Sequence, residues 1–233
     1  MFLDSTLILL IPAILLSLYA QFKVKSTYKK FSQTGTRSGL TGAEVAARIL
    51  RDAGIALSNT PEAVAGPACA IEPIAGQMTD HYDPRSRVLR LSEGVYGARS
   101  ISALGIAAHE VGHAIQHANS YAPLELRSLV YPATRIGSTL SMPLFLIGLF
   151  AWPPLLYAGI ALFSFAVLFT LITLPVEFNA SKRALKALAD GGYLTADEMK
   201  GARKVLSAAV TYVAAAAMAL LQLVRWILIA QRR

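Results

Sequence analysis

Two histidines and a glutamate are spaced for metal-assisted hydrolysis in the segment His-Glu-Val-Gly-His. His109 and His113 are four residues apart, so on an α-helix their imidazoles lie on one face, about one turn apart. Both rings can therefore bind the same Zn²⁺ ion. Glu110 lies beside them, where its carboxylate can accept a proton from a water molecule that the metal polarises. The pattern predicts zinc as the cofactor and Glu110 as the catalytic general base.

A catalytic zinc ion normally has three protein ligands, so a third ligand is needed. Glu177 is the first candidate, because the segment from Glu177 to Ala180 is expected to begin a helix after a long apolar stretch. One carboxylate with two histidines is a common ligand set in hydrolytic zinc sites.

His117, His81 and Glu125 are the other candidates. His117 would lie on the same helix as the motif but about 12 Å from His109 along its axis, which favours a place outside the ligand set. His81, next to Tyr82, could instead stabilise the tetrahedral oxyanion of the reaction. Glu125 shortly precedes an apolar segment, where an interfacial position is expected.

The motif requires a helix, and residues 101–117 have the composition of one. Ser100 can cap its first turn, and residues 101–108 are almost entirely apolar. Polar groups on such a helix are costly to bury without partners. This favours a metal site over an incidental pair of histidines.

The polar segments around the motif predict further helices and one hairpin. Thr41 to Glu44 and Thr195 to Glu198 each form a capping box that begins a helix, the first ending near Gly54. Residues 77–82 and 88–91 are short β-type segments, and residues 83–87 between them predict a turn.

The composition is that of a membrane protein. Of 233 residues, 55% are hydrophobic and 15% are charged. The net charge of +8 arises from cations that flank apolar segments and form no single basic stripe, so nucleic acid is not expected as a partner. The expected partners are the lipid bilayer and a protein or peptide substrate.

Three apolar segments are long enough to cross a bilayer once or twice. Residues 5–22 are uncharged and follow Asp4, an anion where a cleaved signal peptide carries cations, so they indicate a signal anchor. Residues 136–176 are also uncharged, and Trp152-Pro-Pro predicts a turn that makes them a transmembrane hairpin. Two crossings would return Glu177 to the side of the motif.

The cations predict the orientation. Four lysines directly follow residue 22, and the positive-inside rule therefore places the next segment in the cytoplasm; they are Lys23, Lys25, Lys29 and Lys30. Residues 205–224 are a last transmembrane or interfacial helix, followed by Arg225, Arg232 and Arg233.

The expected fold is a mostly α membrane protein of the cell (inner) membrane, with three or four transmembrane helices and a small cytoplasmic α plus β-hairpin catalytic region. It divides into five segments. They are a transmembrane signal anchor (1–22), a cytoplasmic catalytic region with the motif helix (23–135), a transmembrane hairpin (136–176), a cytoplasmic helix carrying the third ligand (177–204), and a transmembrane or interfacial C-terminal helix (205–233).

Four blocks of sequence resemble the YugP family of membrane zinc metallopeptidases. The blocks are Thr79-Asp-His-Tyr-Asp-Pro84, Leu89-Arg-Leu-Ser92, Ala107-Ala-His-Glu-Val-Gly-His-Ala-Ile-Gln116 and Leu174-Pro-Val-Glu-Phe-Asn-Ala-Ser181. The resemblance implies a neutral zinc peptidase with His109, His113 and Glu177 as ligands and Glu110 as the catalytic residue.

A more distant resemblance is to the HtpX-type membrane endopeptidases, which implies a zincin-like, gluzincin-like site and a role in membrane-protein quality control. In that group a Glu-x-x-Ala-Asp helix completes the site, whereas this chain has Ser181 in place of the Asp. A serine would orient a ligating histidine more weakly than a carboxylate.

Two other functions remain open. A site-two-type intramembrane protease would use an Asp in a Leu-Asp-Gly-like segment, and Asp190 lies in a similar context, although the following glycines favour a helix end and a turn in water. A non-catalytic membrane scaffold could also retain the zinc motif. Cys69 is the single cysteine, so no intrachain disulfide can form, and its apolar context predicts no catalytic role.

Overall fold

Four helices in the computed structural model, which describes residues 5–232, are long and apolar enough to cross a membrane. They are the helical segments Thr6–Ser32, Ala122–Phe150, Pro153–Asp190 and Ala196–Gln231. The last segment consists of two successive α-helices. The predicted fold class, a mostly α membrane protein, is confirmed. Asp4 and Arg233, which entered the sequence argument, lie outside the described residues.

Eight α-helices and four strands follow one another in the described part of the chain. The helices are α1 (Ile11–Ser32), α2 (Gly42–Asp52), α3 (Glu93–Tyr96), α4 (Ile101–Ala118), α5 (Ala122–Phe150), α6 (Pro153–Asp190), α7 (Ala196–Leu206) and α8 (Val210–Gln231). The strands are β1 (Ala56–Leu57), β2 (Ala68–Ile74), β3 (His81–Asp83) and β4 (Val88–Ser92).

The predicted helix starts are confirmed by their caps. Thr41 and Thr195 form complete capping boxes at α2 and α7. The Ser100 side chain accepts a hydrogen bond of 3.1 Å from the backbone N–H of Ala103, at the first turn of α4. Each cap satisfies an amide that has no partner within its helix, so these starts follow from local sequence.

The predicted hairpin is present as the antiparallel pair β3 and β4, but its first strand begins only at His81. The structure adds two strands that the sequence analysis did not predict. The sheet order is β1-β2-β4-β3, in which β1 pairs parallel with β2, and β2 pairs parallel with β4. Strand β3 therefore lies at an edge of the sheet.

The chain forms two compact units. One unit contains Lys23–Tyr121 and Val176–Ala209, and thus the sheet, α2, α4, α7 and the end of α6. Its buried core joins apolar side chains of these helices and the two central strands, including Leu50, Leu89 and Leu104, none of which is exposed.

The other unit contains the first helix as far as Phe22, Ala122–Pro175 and the chain from Val210. Within it, the rings of Phe145 and Trp226 stack with centroids 4.3 Å apart.

The prediction that a new helix begins at Glu177 is wrong, because α6 runs without a break through this residue. Pro175 removes one backbone donor from the helix, but long apolar helices tolerate proline when the freed carbonyl finds other partners. Two other bounds differ from those expected: α5 begins at Ala122 instead of residue 136, and α8 extends through Arg225.

Candidate metal centre

Three side chains from two helices converge at one point of the unit that contains the sheet. The Nε2 atom of His109 lies 3.3 Å from Oε2 of Glu177, and Nε2 of His113 lies 3.6 Å from the same oxygen. All three candidate ligand atoms are within 4.8 Å of one another. The α4 residues His109 and His113 present their rings edge to face, with centroids 4.8 Å apart.

The distances from Glu177 to the two histidines fit a zinc ion. With metal–ligand distances of 2.0–2.2 Å, two ligands of a tetrahedral site lie about 3.3 Å apart. The separations of 3.3 and 3.6 Å from Glu177 match that value. Two imidazoles and one carboxylate are also the protein ligands of many catalytic zinc sites, which leave a fourth position open.

Glu110 is buried beside the three converging groups, with 9% of its surface exposed. Its Oε2 accepts a hydrogen bond of 3.1 Å from the backbone N–H of Tyr82 on the edge strand β3. Burial raises the pKa of Glu110 above its ordinary value, although the neighbouring histidines oppose that shift. A carboxylate with a raised pKa is better suited to accept and return a proton near neutral pH.

Each candidate ligand histidine has a partner on its other ring nitrogen. Ser181 Oγ lies 3.2 Å from Nδ1 of His109, and Gln116 Oε1 lies 3.0 Å from Nδ1 of His113. Ser181 was expected in this role from its place in the sequence, whereas no role was expected for Gln116. The signal for Gln116 was its spacing, because a residue three positions after His113 lies on the same helical face.

The other candidate ligands do not join this group among the described residues. His117 Nδ1 lies 2.8 Å from the hydroxyl of Tyr82. His81 is exposed, and its Nδ1 donates a hydrogen bond of 2.8 Å to the carbonyl of Thr79. Glu125 is exposed in the first turn of α5.

Asp190, the ligand that a site-two-type protease would require, is the last residue of α6. Its side chain is 62% exposed and pairs with Lys186 at 2.6 Å. The motif helix α4 is also not one of the four apolar helices found within residues 5–232. These observations favour Glu177 over Asp190 as the third ligand.

A cavity of about 270 Å³ lies next to the face of α4 that carries Glu110. Ala114, His117 and Ala118 line it, and these residues follow Glu110 by four, seven and eight positions, so they share its face. Cys69 also lines the cavity, but burial raises the pKa of its thiol to about 11. The thiol is therefore a weaker acid than a free cysteine, and a protonated thiol is a poor nucleophile.

Helices α4 and α6 approach closely at Gly112, inside the motif. A Cβ atom at this position would lie 2.6 Å from the backbone oxygen of Ala180. No side chain fits at that distance unless the backbone moves. The glycine thus allows α4, with its two histidines, to come close to α6, which carries Glu177.

We expect Gly112→Ala to lower the melting temperature and to weaken zinc binding, because the added methyl group forces α4 away from α6. Overpacking of this kind costs about 1–3 kcal/mol. Thermal unfolding in detergent and zinc content after gel filtration measure the two effects.

Gly105→Ala is the matched control on the same helix. Its added Cβ would meet the side chain of Val205 in ordinary van der Waals contact, at 3.7 Å from Cγ1 and 3.9 Å from Cβ, and alanine favours the helix by about 0.5–1 kcal/mol. If both variants behaved alike, the close approach at Gly112 would have no special importance.

Comparison with known proteins gives two matches. Residues 6–231 match the family described as "Putative neutral zinc metallopeptidase". The chain is also 49% identical over 223 residues to the "Putative membrane protease YugP" of Bacillus subtilis (strain 168), an alignment that covers 95% of this chain and 94% of the relative. No solved structure matches.

Proposed function

Because the chain belongs to the neutral zinc metallopeptidase family that its sequence matches over residues 6–231, we propose that it is a membrane-anchored zinc metalloendopeptidase. In this proposal His109, His113 and Glu177 bind the metal, and Glu110 is the general base. The family membership predicted from the sequence blocks is confirmed.

One observation carries the proposal. Three metal-binding side chains converge within 4.8 Å, and a buried carboxylate with a raised pKa follows the first of them directly in the chain. A structural histidine pair would need neither a third ligand nor a neighbouring base. The combination is what metal-assisted hydrolysis requires.

Zinc in such a site supplies Lewis acidity toward water and toward the carbonyl group of a substrate. Glu110 would take a proton from the attacking water and return it to the amine that leaves when the peptide bond breaks. The Tyr82 amide holds Oε2 of Glu110, so Oε1 remains available for that proton. The hydrogen bonds on the outer nitrogens of His109 and His113 orient both rings toward the metal.

The substrate and the orientation extend the proposal. The relative from Bacillus subtilis is named as a membrane protease, and we propose membrane or misfolded proteins as substrates, in a quality-control role. We also propose that the catalytic unit is cytoplasmic, which the lysines after the first apolar segment support through the positive-inside rule. The side chains of His117 and Tyr82, which are hydrogen-bonded to each other, both line the cavity beside α4. We propose that they contact the substrate.

Removal of zinc from the purified protein tests the proposal. We expect treatment with 1,10-phenanthroline to abolish cleavage of an unfolded protein substrate, and about one equivalent of Zn²⁺ per chain to restore it, since one site is formed by three protein ligands. Magnesium ions should not restore cleavage, because Mg²⁺ prefers an octahedral oxygen environment. Full activity in a preparation shown by metal analysis to be free of zinc would contradict the proposal.

A further inference from the structure

We propose that Gln116 is a positioning residue that sets the tautomer of His113, with the proton on Nδ1 and the lone pair of Nε2 directed toward Glu177. The inference rests on the proposed function, because it concerns one of the candidate zinc ligands. It gives a role to a buried polar residue that the reaction itself does not use.

The amide of Gln116 is completely buried, with 0% of its surface exposed, and it is fully hydrogen-bonded. Its Nε2 donates to the carbonyl of Val176 at 2.8 Å and to Oδ1 of Asn179 at 3.0 Å. Its Oε1 faces Nδ1 of His113 at 3.0 Å. A buried amide with all its partners in place is rigid, since each lost hydrogen bond would cost free energy.

The orientation of this amide follows from its partners. The backbone carbonyl of Val176 can only accept a hydrogen bond, so the NH₂ group of Gln116 must face it. The second partner agrees: Oδ1 of Asn179 already accepts a hydrogen bond of 2.7 Å from Nε of Arg183, and arginine can only donate. Both contacts would be repulsive if the amide were turned by 180°.

The tautomer of His113 follows in turn. Because the NH₂ group of Gln116 donates both its hydrogen bonds to α6, Oε1 is the atom that faces His113. This oxygen can only accept a hydrogen bond. Nδ1 of His113 must therefore carry a proton. In the neutral ring, Nε2 then has the lone pair that a metal requires, at the atom that lies 3.6 Å from Oε2 of Glu177.

The arrangement differs at the other histidine. Nδ1 of His109 contacts the hydroxyl of Ser181, and a hydroxyl can either donate or accept. That contact does not determine where the proton lies. Of the two histidines, only His113 has its tautomer fixed by a hydrogen bond. The residue that holds the Gln116 amide, Val176, directly precedes Glu177 in the chain.

The direct test is ¹⁵N NMR of histidine-labelled, metal-free protein in detergent, recorded as a pH series up to the neutral ring, because Oε2 of Glu177 lies 3.6 Å from Nε2 and favours a second proton there at lower pH. The chain has four histidines, so His113→Gln identifies the signal of His113. We expect this ring to carry its proton on Nδ1 in the wild type. A neutral ring protonated on Nε2 would overturn the inference, and this result requires no variant at Gln116.

Two substitutions separate positioning from packing. Gln116→Met keeps the length of the side chain but removes the acceptor, and we expect zinc to bind 10- to 100-fold more weakly, as for other lost partners of a ligating histidine. Gln116→Glu keeps an acceptor for Nδ1 but replaces the NH₂ group that faces the carbonyl of Val176 and Oδ1 of Asn179 with an oxygen, so we expect a lower melting temperature. We expect its zinc affinity to stay within a few-fold of the wild type, with the Nδ1–H signal retained.

Leu104→Ala is the control for a general loss of stability. Leu104 is completely buried on the same helix, and we expect this variant to melt at a lower temperature with unchanged zinc affinity. Equal weakening in the Met and Glu variants would assign Gln116 a packing role only, and wild-type affinity in the Met variant would also overturn the inference. Absence of zinc binding in the wild type would refute the proposed function, whereas the NMR test of the tautomer would still stand.

Discussion

Glu110→Gln is expected to lower the rate of proteolysis by about two to four orders of magnitude, the usual contribution of a general base, while zinc remains bound. Glutamine has nearly the same shape, and its side-chain oxygen can still accept the hydrogen bond that the Tyr82 amide donates at 3.1 Å to the carboxylate. It cannot take a proton from water. The fold and the three metal-binding side chains should be unaffected.

The measurement is cleavage of an unfolded protein or membrane-protein substrate in detergent, with metal analysis of the same preparation. Glu125→Gln is the matched control, because Glu125 is exposed at the start of α5, and we expect wild-type activity from it. If Glu110→Gln kept more than a tenth of the activity, another residue would have to be the base. If it lost its zinc, Glu110 would have to be assigned to metal binding.

Glu177→Ala is expected to give the largest loss of zinc. One oxygen of its carboxylate, Oε2, lies near both ring nitrogens. Removal of a direct ligand should weaken binding by more than the 10- to 100-fold that follows from loss of an orienting partner. Titration of the metal-free protein against a chelator of known affinity measures the change.

Asp190→Ala is the matched carboxylate variant on the same helix. Its side chain is 62% exposed and pairs only with Lys186, a type of surface pair that contributes little to stability. We expect wild-type zinc affinity and wild-type proteolysis. Loss of zinc in the Asp190 variant, with zinc retained in the Glu177 variant, would instead support the site-two-type architecture.

The parts of the fold that depend on local sequence could be predicted. The starts of α2, α4 and α7 follow from Thr41, Ser100 and Thr195, because a capping side chain acts within its own first turn. The pairing of His109 with His113 follows from the pitch of one helix.

The features that depend on distant parts of the chain could not be predicted. Strand β2 contains Pro73 and three small residues at its start, so its sequence has no strong β pattern, and its parallel pairing with β4 is a tertiary contact. The role of Gln116 depends on contacts with Val176 and Asn179, some 60 residues away. Spacing within α4 could indicate only that Gln116 and His113 share a face.

The unbroken course of α6 illustrates a different difficulty. The uncharged segment ends at Glu177, and this change in the sequence suggested a helix boundary. Pro175 also disfavours the helical conformation of the residue before it. The structure nevertheless continues the helix from Pro153 to Asp190. Tertiary packing here prevails over the local signal, and Val176 and Ala180 are both fully buried in that packing.

The backbone contact between Gly112 and Ala180 brings the ligand-bearing helices together by van der Waals packing, inside a core of apolar side chains. Zinc fingers are built differently, since their metal supplies the folding free energy itself. A chain held together by its own packing can fold first and load its ion later. Under the proposed function, scarcity of zinc in the cell would then stop proteolysis without reducing the amount of folded protein.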